Sequence, residues 1–550
     1  MRTFFTITLS LLLFQASSQP LVYDFVQSEG GIVNANTKND IVKDSNGNTI
    51  VMGDFSGTRT FGATTITAKG NTEVYVAKFD SNGGLIWVVN GGDSLSFANT
   101  GGVTVDNSDN VYITGKYQGN FGIQGTLISV VGNSDVFVAK LNGASGNLAW
   151  LRTAGGNSID EAYDIAHVGS GEVVVTGAYA GSADFGSLNL NSGIISNINI
   201  FAVKYNTTGV EQWLVDGGGS SEDKGLSVTY SASGDLYVAG YFQGNNTPVF
   251  GTNLSSSGSS DIFLAKLNPA NGNGIWARKA GGNGLDQANS ISANDDGDVY
   301  MTGIFYTTAS FGSLSVTEAS MAGDMFIVKY DNQGTPVWVK KGGGNFQDLG
   351  NGCSAEADPN GSVYVTGLFA GNSNFSGQSL SASGPSDAFI AKYNTFGTLT
   401  YVAKGGGNSN DQGKAVVANG SDGTFCFVGS YTGTAAFGSN SITAAAGTWE
   451  TFFACADGGT VGITESFENT GLNLYPNPTN DACTISFDEA ISGTLTISVF
   501  DVLGSLMFEN KIQANEKNIV HLDTGALSAG VYMVYIESDE FITSSKLVKK

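Results

Sequence analysis

The chain of 550 residues carries 25 Lys and Arg against 49 Asp and Glu, a formal net charge of −24, yet only 13% of its residues are charged and 77 are glycine. Such acidity repels phosphate backbones and anionic lipid surfaces, which excludes nucleic acid as a partner and fits cations or basic partners better. Scarce charge with abundant glycine excludes long solvated helices and favours short strands joined by tight turns, an all-β chain.

At the start, Met1 and Arg2 precede an apolar run from Phe4 to Phe14 and the small residues Ala16, Ser17 and Ser18. This pattern predicts a secretory signal peptide over residues 1–18. No cysteine follows the run, so a lipid anchor is not indicated, and no later stretch reaches the roughly 18 apolar residues of a membrane span. The mature chain is expected to be exported, soluble and monomeric. Its four cysteines, Cys353, Cys426, Cys455 and Cys483, lack the spacing of a disulfide framework or a zinc site. They read as small buried residues, with a disulfide between Cys426 and Cys455 on neighbouring predicted strands as the alternative.

From there a unit repeats seven times. Glycines at 53, 115, 177, 240, 303, 367 and 429, read as the ends of the second strands, give a mean period of about 63 residues over six steps. Each unit is predicted to open with a short strand, as at Ala162–Ala166, and to turn through Asp, Asn and Gly into the β-branched second strand. A longer excursion with a conserved-in-place phenylalanine (Phe61, Phe121, Phe185, Phe250, Phe311, Phe375, Phe437) leads to a third strand near Phe137–Lys140 and its equivalents. The fourth strand centres on Trp87, Trp150, Trp213, Trp276, Trp338 or Tyr401 and ends in paired glycines. The seventh unit has no fourth strand after it, but Leu21–Val26 followed by Gly30 and Gly31 matches the missing one, with Tyr23 as its aromatic. Residues 19–457 are therefore predicted to form a seven-bladed β-propeller of four-stranded blades, the last closed by the N-terminal strand so that no sheet edge stays open. The motifs Trp276, Gly281-Gly282, Asp286, Tyr300–Gly303 and Lys329 resemble the SBBP β-propeller repeats of secreted bacterial proteins. That resemblance implies the fold and no particular activity.

Residues 458–473 read as a polar linker, and residues 474–550 as a small immunoglobulin-like β-sandwich. Within it, Tyr475-Pro476-Asn477-Pro478, Gly530, Tyr532 and the basic end Lys546, Lys549 and Lys550 resemble the type A C-terminal sorting domain of the type IX secretion system. The resemblance implies a route through the periplasm and across the outer membrane, to the cell surface or medium. It also implies the secretion machinery and a surface sortase as partners of this segment.

Chemistry leaves few traces. There are two histidines, His167 and His521, and neither a nucleophile elbow nor a phosphate-binding glycine loop. No catalytic residue, metal or cofactor is expected. The recurring acids Asp160, Asp223, Asp286, Asp348 and Asp411 follow the glycine pairs. Links and excursions share one face of such a fold, so these acids are candidates for ligand binding at a loop-bearing mouth. The rival reading has them accept loop backbone N–H groups in every unit. The recurring lysines Lys78, Lys140, Lys204, Lys266, Lys329 and Lys392 are expected to bury their stems between blades and pair with nearby carboxylates or carbonyls. The expected function is non-catalytic binding or adhesion to an extracellular glycan or protein. A propeller-type polysaccharide lyase or hydrolase and a structural surface or matrix component are the alternatives.

Overall fold

The computed structural model describes residues 23–29, 38–94, 96–318, 320–355, 361–418, 424–457, 473–491, 494–501, 506–513, 517–537 and 542–550. The predicted signal peptide and nearly all of the predicted linker lie outside them. The chain divides into two compact units, Met1–Gly459 and Thr460–Lys550. The described residues are strands and turns without a helix.

In the first unit seven antiparallel sheets share a four-strand core. One example is Asp160–His167, Val173–Ala180, Ile198–Tyr205 and Glu211–Gly217, paired in that order. Second and third strands are almost wholly buried, as in the unbroken burial of Val299–Phe305 and Asp324–Tyr330. Their two faces serve two neighbours. Ile50 and Met52 join a cluster with Ile113 and Phe137 of the next repeat, whereas Val51 joins one with Val428 and Phe453 of the seventh. The first strand of each repeat touches that of the next, and Asp411–Ala418 touches Asp40–Lys43. The chain's N-terminal strand, Tyr23–Glu29, pairs with Trp449–Asp457 in the seventh sheet.

The register corrects the sequence reading in two places. Trp87, Trp150, Trp213, Trp276, Trp338 and Tyr401 each stand opposite a third-strand lysine. The residue in that place on the N-terminal strand is Phe25, opposite Cys455, and not Tyr23, which lies on the other side of a bulge. Phe25 also makes the contact that belongs to the place. Each tryptophan ring lies on a left-handed turn glycine of the next repeat, as Trp150 does on Gly209 (φ 77°), and Phe25 lies on Gly83 (φ 79°) of the first. The repeat-marking glycines, in turn, do not end their strands. Six of them face a bulge in the first strand, and a Cβ at Gly177 would fall 2.0 Å from the Glu161 carbonyl.

The excursions hold more structure than expected. Each contains a short hairpin, such as Asn120–Ile123 with Thr126–Ser129. Five of the hairpins extend the preceding sheet to six strands. In six repeats the phenylalanine of the excursion is buried at the end of its first arm or just after it, whereas Phe121 is buried within its arm and Ile123 holds the end.

The second unit has a three-stranded and a four-stranded sheet. Cys483, Ile485 and Leu522 of one share a buried cluster with Ile497, Val534 and Leu547 of the other.

Candidate functional site: the cavity between the first strands

The five recurrent aspartates are all fully buried. One carboxylate oxygen of each accepts a link glycine N–H, from Gly156, Gly219, Gly282, Gly344 and Gly407, at 2.7–2.9 Å. In four repeats the other oxygen takes an N–H at the end of the second strand or just beyond it, as Tyr306 to Asp286 at 2.9 Å. These four acids thus tie the incoming link to the start of the excursion. Burial pushes Asp160, Asp348 and Asp411 up to about 7 and Asp223 and Asp286 up to about 6, against the downward pull of the N–H groups. The five stand one to a repeat and are not brought together, and none has surface with which to meet a ligand.

The groups that do converge surround a cavity of about 260 Å³ lined by all seven first strands. Side chains sew these strands to one another. Val103 N–H donates to Asp40, Val228 to Asp164, Ile291 to Ser227 and Cys353 to Ser290, at 2.8–3.2 Å. One level further along, Thr104, Thr229, Ser292 and Ser354 accept the N–H groups of His167, Ala293, Ala355 and Ala418. The lining is not sevenfold. Asp40 and Asp164 occupy places that are Gly102, Ser227, Ser290, Gly352 and Ala415 elsewhere. Burial raises Asp40 to about 6, with Lys38 opposing and Asp164 adding to the rise. Burial lowers Lys414, on the seventh first strand, to about 8, against the attraction of Asp54. His167 also lines the cavity, lowered by burial, and its Nε2 accepts the Gly171 N–H at 3.3 Å.

At the loop-side end of the same strands lies a charged network. Lys38 Nζ reaches past Gly101 to the Tyr163 carbonyl at 2.7 Å. Lys116 pairs with Glu161 at 2.5 Å and Lys224 with Glu222 at 2.9 Å. The hydroxyls of Tyr163 and Tyr241 donate to Glu161 and Glu222. Although burial acts upward on Glu161, the Lys116 ammonium holds it below the usual carboxylate range. Links and excursions meet on this face, as the bridges Ser134–Ile159 and Ser260–Leu285 show. Sequence reasoning passed over Asp40, Asp164, Lys414 and this network. Their signal was departure from the repeat rather than recurrence.

The recurrent lysines pair with acids of the first turn: Lys78–Asp44 at 2.7 Å, Lys204–Glu172 at 2.6 Å, Lys266–Asp235 at 2.9 Å and Lys329–Asp298 at 2.8 Å. Cys426 and Cys455 form a disulfide, while Cys353 and Cys483 are buried thiols. Among the described residues no three His, Cys, Asp or Glu side chains converge in a way that could hold a metal.

In the C-terminal unit Asn477 binds the last strand, Ile542–Lys549, through the Lys546 carbonyl and the Val548 N–H, at 2.6 and 2.8 Å. Tyr475, beside Pro476 and Pro478, is half exposed. Tyr532, two residues after Gly530, is buried and donates to the Ser528 carbonyl at 2.9 Å. Lys546 and Lys550 are exposed, and Lys549 lies 3.5 Å from Asp481.

Residues 473–550 match the family model described as the secretion system C-terminal sorting domain. This domain marks proteins exported by the type IX system to the cell surface or extracellular space, and implies contact with that machinery. Over 406 residues, 69% of this chain and 40% of the relative, the chain is 28% identical to the regulatory protein FlaEY of Caulobacter vibrioides. It is 23% identical to an uncharacterized WD repeat-containing protein, L264, of Acanthamoeba polyphaga mimivirus, over 48% of this chain and 24% of that one. The chain thus spans less than half the length of these curated relatives. A crystal structure of Sqt1 from Chaetomium thermophilum aligns with 74% of this chain and 97% of its own at 11% identity and a TM-score of 0.36.

Proposed function

We propose that the seven sheets are the blades of one closed β-propeller and that this body binds an extracellular glycan or protein without transforming it. The ligand meets the loop-bearing mouth over the cavity between the first strands. The observation that carries this reading is the unequal lining: Asp40 and Asp164 stand at places that neighbouring repeats fill with small residues, and Lys414 at one that is Asn289 and Asn351 in the two repeats before it, below the Lys116–Glu161–Lys224–Glu222 network. Fold maintenance asks for the same residue in every blade, whereas a ligand asks for different ones. The five recurrent aspartates serve the fold, since each is buried on backbone N–H groups. The C-terminal unit is an immunoglobulin-like sandwich that acts as the export address and is removed by a sortase.

The test is a binding screen of the exported protein against glycans and surface proteins. Saturable binding that weakens at least tenfold in Glu161→Gln and Asp164→Asn is expected. Turnover of a polysaccharide that disappears in Asp40→Asn or Asp164→Asn would replace this reading with that of a lyase or hydrolase. Ordered self-assembly without any ligand would replace it with a structural role.

A further inference from the structure

A second departure from the repeat lies at the other end of the strands, where the seventh repeat meets the first. In four repeats the third-strand lysine faces a second-strand tyrosine: Lys140 with Tyr112, Lys266 with Tyr237, Lys329 with Tyr300 and Lys392 with Tyr364. Each ammonium stands 4.7–5.5 Å from its ring centroid. In the seventh repeat the same register pair is Cys426 with Cys455, joined as the disulfide. Phe25 takes the tryptophan's place beside it. Three large side chains have been exchanged for two cysteines and a smaller ring. A cavity of about 540 Å³ stands there, bounded by Asp24, Phe25, Lys43, Asp44, Asp80 and Ser81 with the disulfide in its wall.

We infer that this cavity binds a short neutral saccharide. Its volume lies within the usual range of small-molecule sites, so it is a pocket and not a packing flaw. Its wall mixes carboxylate acceptors with the Ser81 hydroxyl, with Ser45 and Asn46, whose side chains donate to Asp109 at 2.8 and 3.0 Å, and with Lys43, which donates to Thr424 at 3.3 Å. Sugar hydroxyls donate and accept at once, and a wall of both kinds satisfies them where an apolar ligand would strand its polar groups. With Asp44 paired to Lys78, Asp24 and Asp80 stand against Lys43 in the wall, and the remaining negative balance disfavours an anionic sugar. The wall is also held in place. Asp80 accepts the N–H groups of Asn82 and Gly84 at 2.9 and 2.8 Å, and Asp44 is fixed by Lys78 at 2.7 Å. This site lies among the tight turns, away from the loop-bearing mouth, and does not depend on the function proposed for that mouth.

The test titrates the full exported chain with maltotriose, cellotriose, mannotriose and chitotriose, followed by saturation-transfer NMR and calorimetry, with trigalacturonate as the anionic comparison. At least one neutral trisaccharide should bind saturably, and trigalacturonate at least tenfold more weakly. Ser81→Trp, at an exposed turn position, should block the cavity and weaken binding at least tenfold. The pair Cys426→Tyr with Cys455→Lys restores the side chains of four other repeats and should do the same. The inference is overturned if no neutral trisaccharide binds, if trigalacturonate binds as tightly, or if binding survives Ser81→Trp. Binding that survives Ser81→Trp but falls in Glu161→Gln belongs to the mouth.

Discussion

At the scale of single residues the repeat is written in groups that would be costly anywhere else. Gly177 is a glycine because the Glu161 carbonyl stands 2.0 Å and the buried Phe201 ring 2.6 Å from where a Cβ would go, and neither is the free end of a flexible side chain that could yield. Gly177→Ala should therefore cost about 3 kcal/mol, seen as a lower urea midpoint with an unchanged slope. An unchanged midpoint would show that the bulge opposite relaxes at no cost. The buried aspartates make a less familiar claim. Their folded pKa values, about 6 for Asp223 and Asp286 and about 7 for Asp160, Asp348 and Asp411, lie above the ordinary value of 3.8 because burial disfavours the charge. The folded state binds their protons more tightly than the unfolded one. Their stabilising contribution is complete below about pH 4 and is lost as the pH rises through 6 to 7. Asp44 and Asp106 act in the opposite sense. Burial alone would raise them, but Lys78 and Asn48 at Asp44, and Asn110 at Asp106, bring them below 3.8, so their contribution is lost only as the pH falls further. The melting temperature should accordingly rise from pH 8 to pH 5 and fall again below about pH 4. A melting temperature that falls steadily from pH 8 to pH 5 would show that these carboxylates are charged in the fold.

Among the elements, the strand pair Thr424–Thr432 and Trp449–Asp457 is the one that departs from its fellows, since a disulfide replaces the lysine that elsewhere pairs across the turn. The bridge closes a segment of 29 residues, so its loss should cost on the order of 3–4 kcal/mol by the entropy of the unfolded chain. Denaturation of the Cys426→Ser, Cys455→Ser protein measures it, and a cost below about 1 kcal/mol would mean that the strands are held by packing alone. Much of this was legible in local pattern. The apolar runs of second and third strands are buried on both faces and announce themselves, and the aromatic fourth strands repeat in step. What escaped was set by partners distant in the chain. The hairpins of the excursions are strands of three or four residues with alternating polar positions, such as Thr308–Phe311, which read as loop because a neighbouring sheet receives five of them. The sequence pattern points to Tyr23 as the aromatic of its strand because it carries no sign of the bulge that puts Phe25 opposite Cys455. The cavity between the first strands escaped for the same reason. Asp40, Asp164 and Lys414 are scattered over some 370 positions and meet only because the strands that carry them do.

Across the whole first unit, the contacts that join its two ends decide whether seven sheets behave as one body. The N-terminal strand pairs with Trp449–Asp457 at six positions. Tyr23 packs on Phe427 and Phe437, Phe25 on Phe453, and Gln27 donates to the Gly83 carbonyl at 2.9 Å. Each of these joins residues of the last repeat to the strand that precedes the first repeat, or that strand to the first repeat itself. In an open array such a strand would be a terminal ornament, and its removal would expose one sheet edge that already faced water. In a closed ring its removal opens a seam, unpairs the seventh sheet and uncovers the cluster that contains Phe79 and Phe453. Burial of Tyr23, Phe25 and Val26 contributes roughly 2 kcal/mol apiece, so removal of residues 21–29 should lower the melting temperature by roughly 5–10 °C. The transition should also broaden, because repeats released from a ring unfold from the free ends inward. A shift of less than about 2 °C with an unchanged transition width would describe a stack of repeats, in which the seventh sheet does not depend on the first.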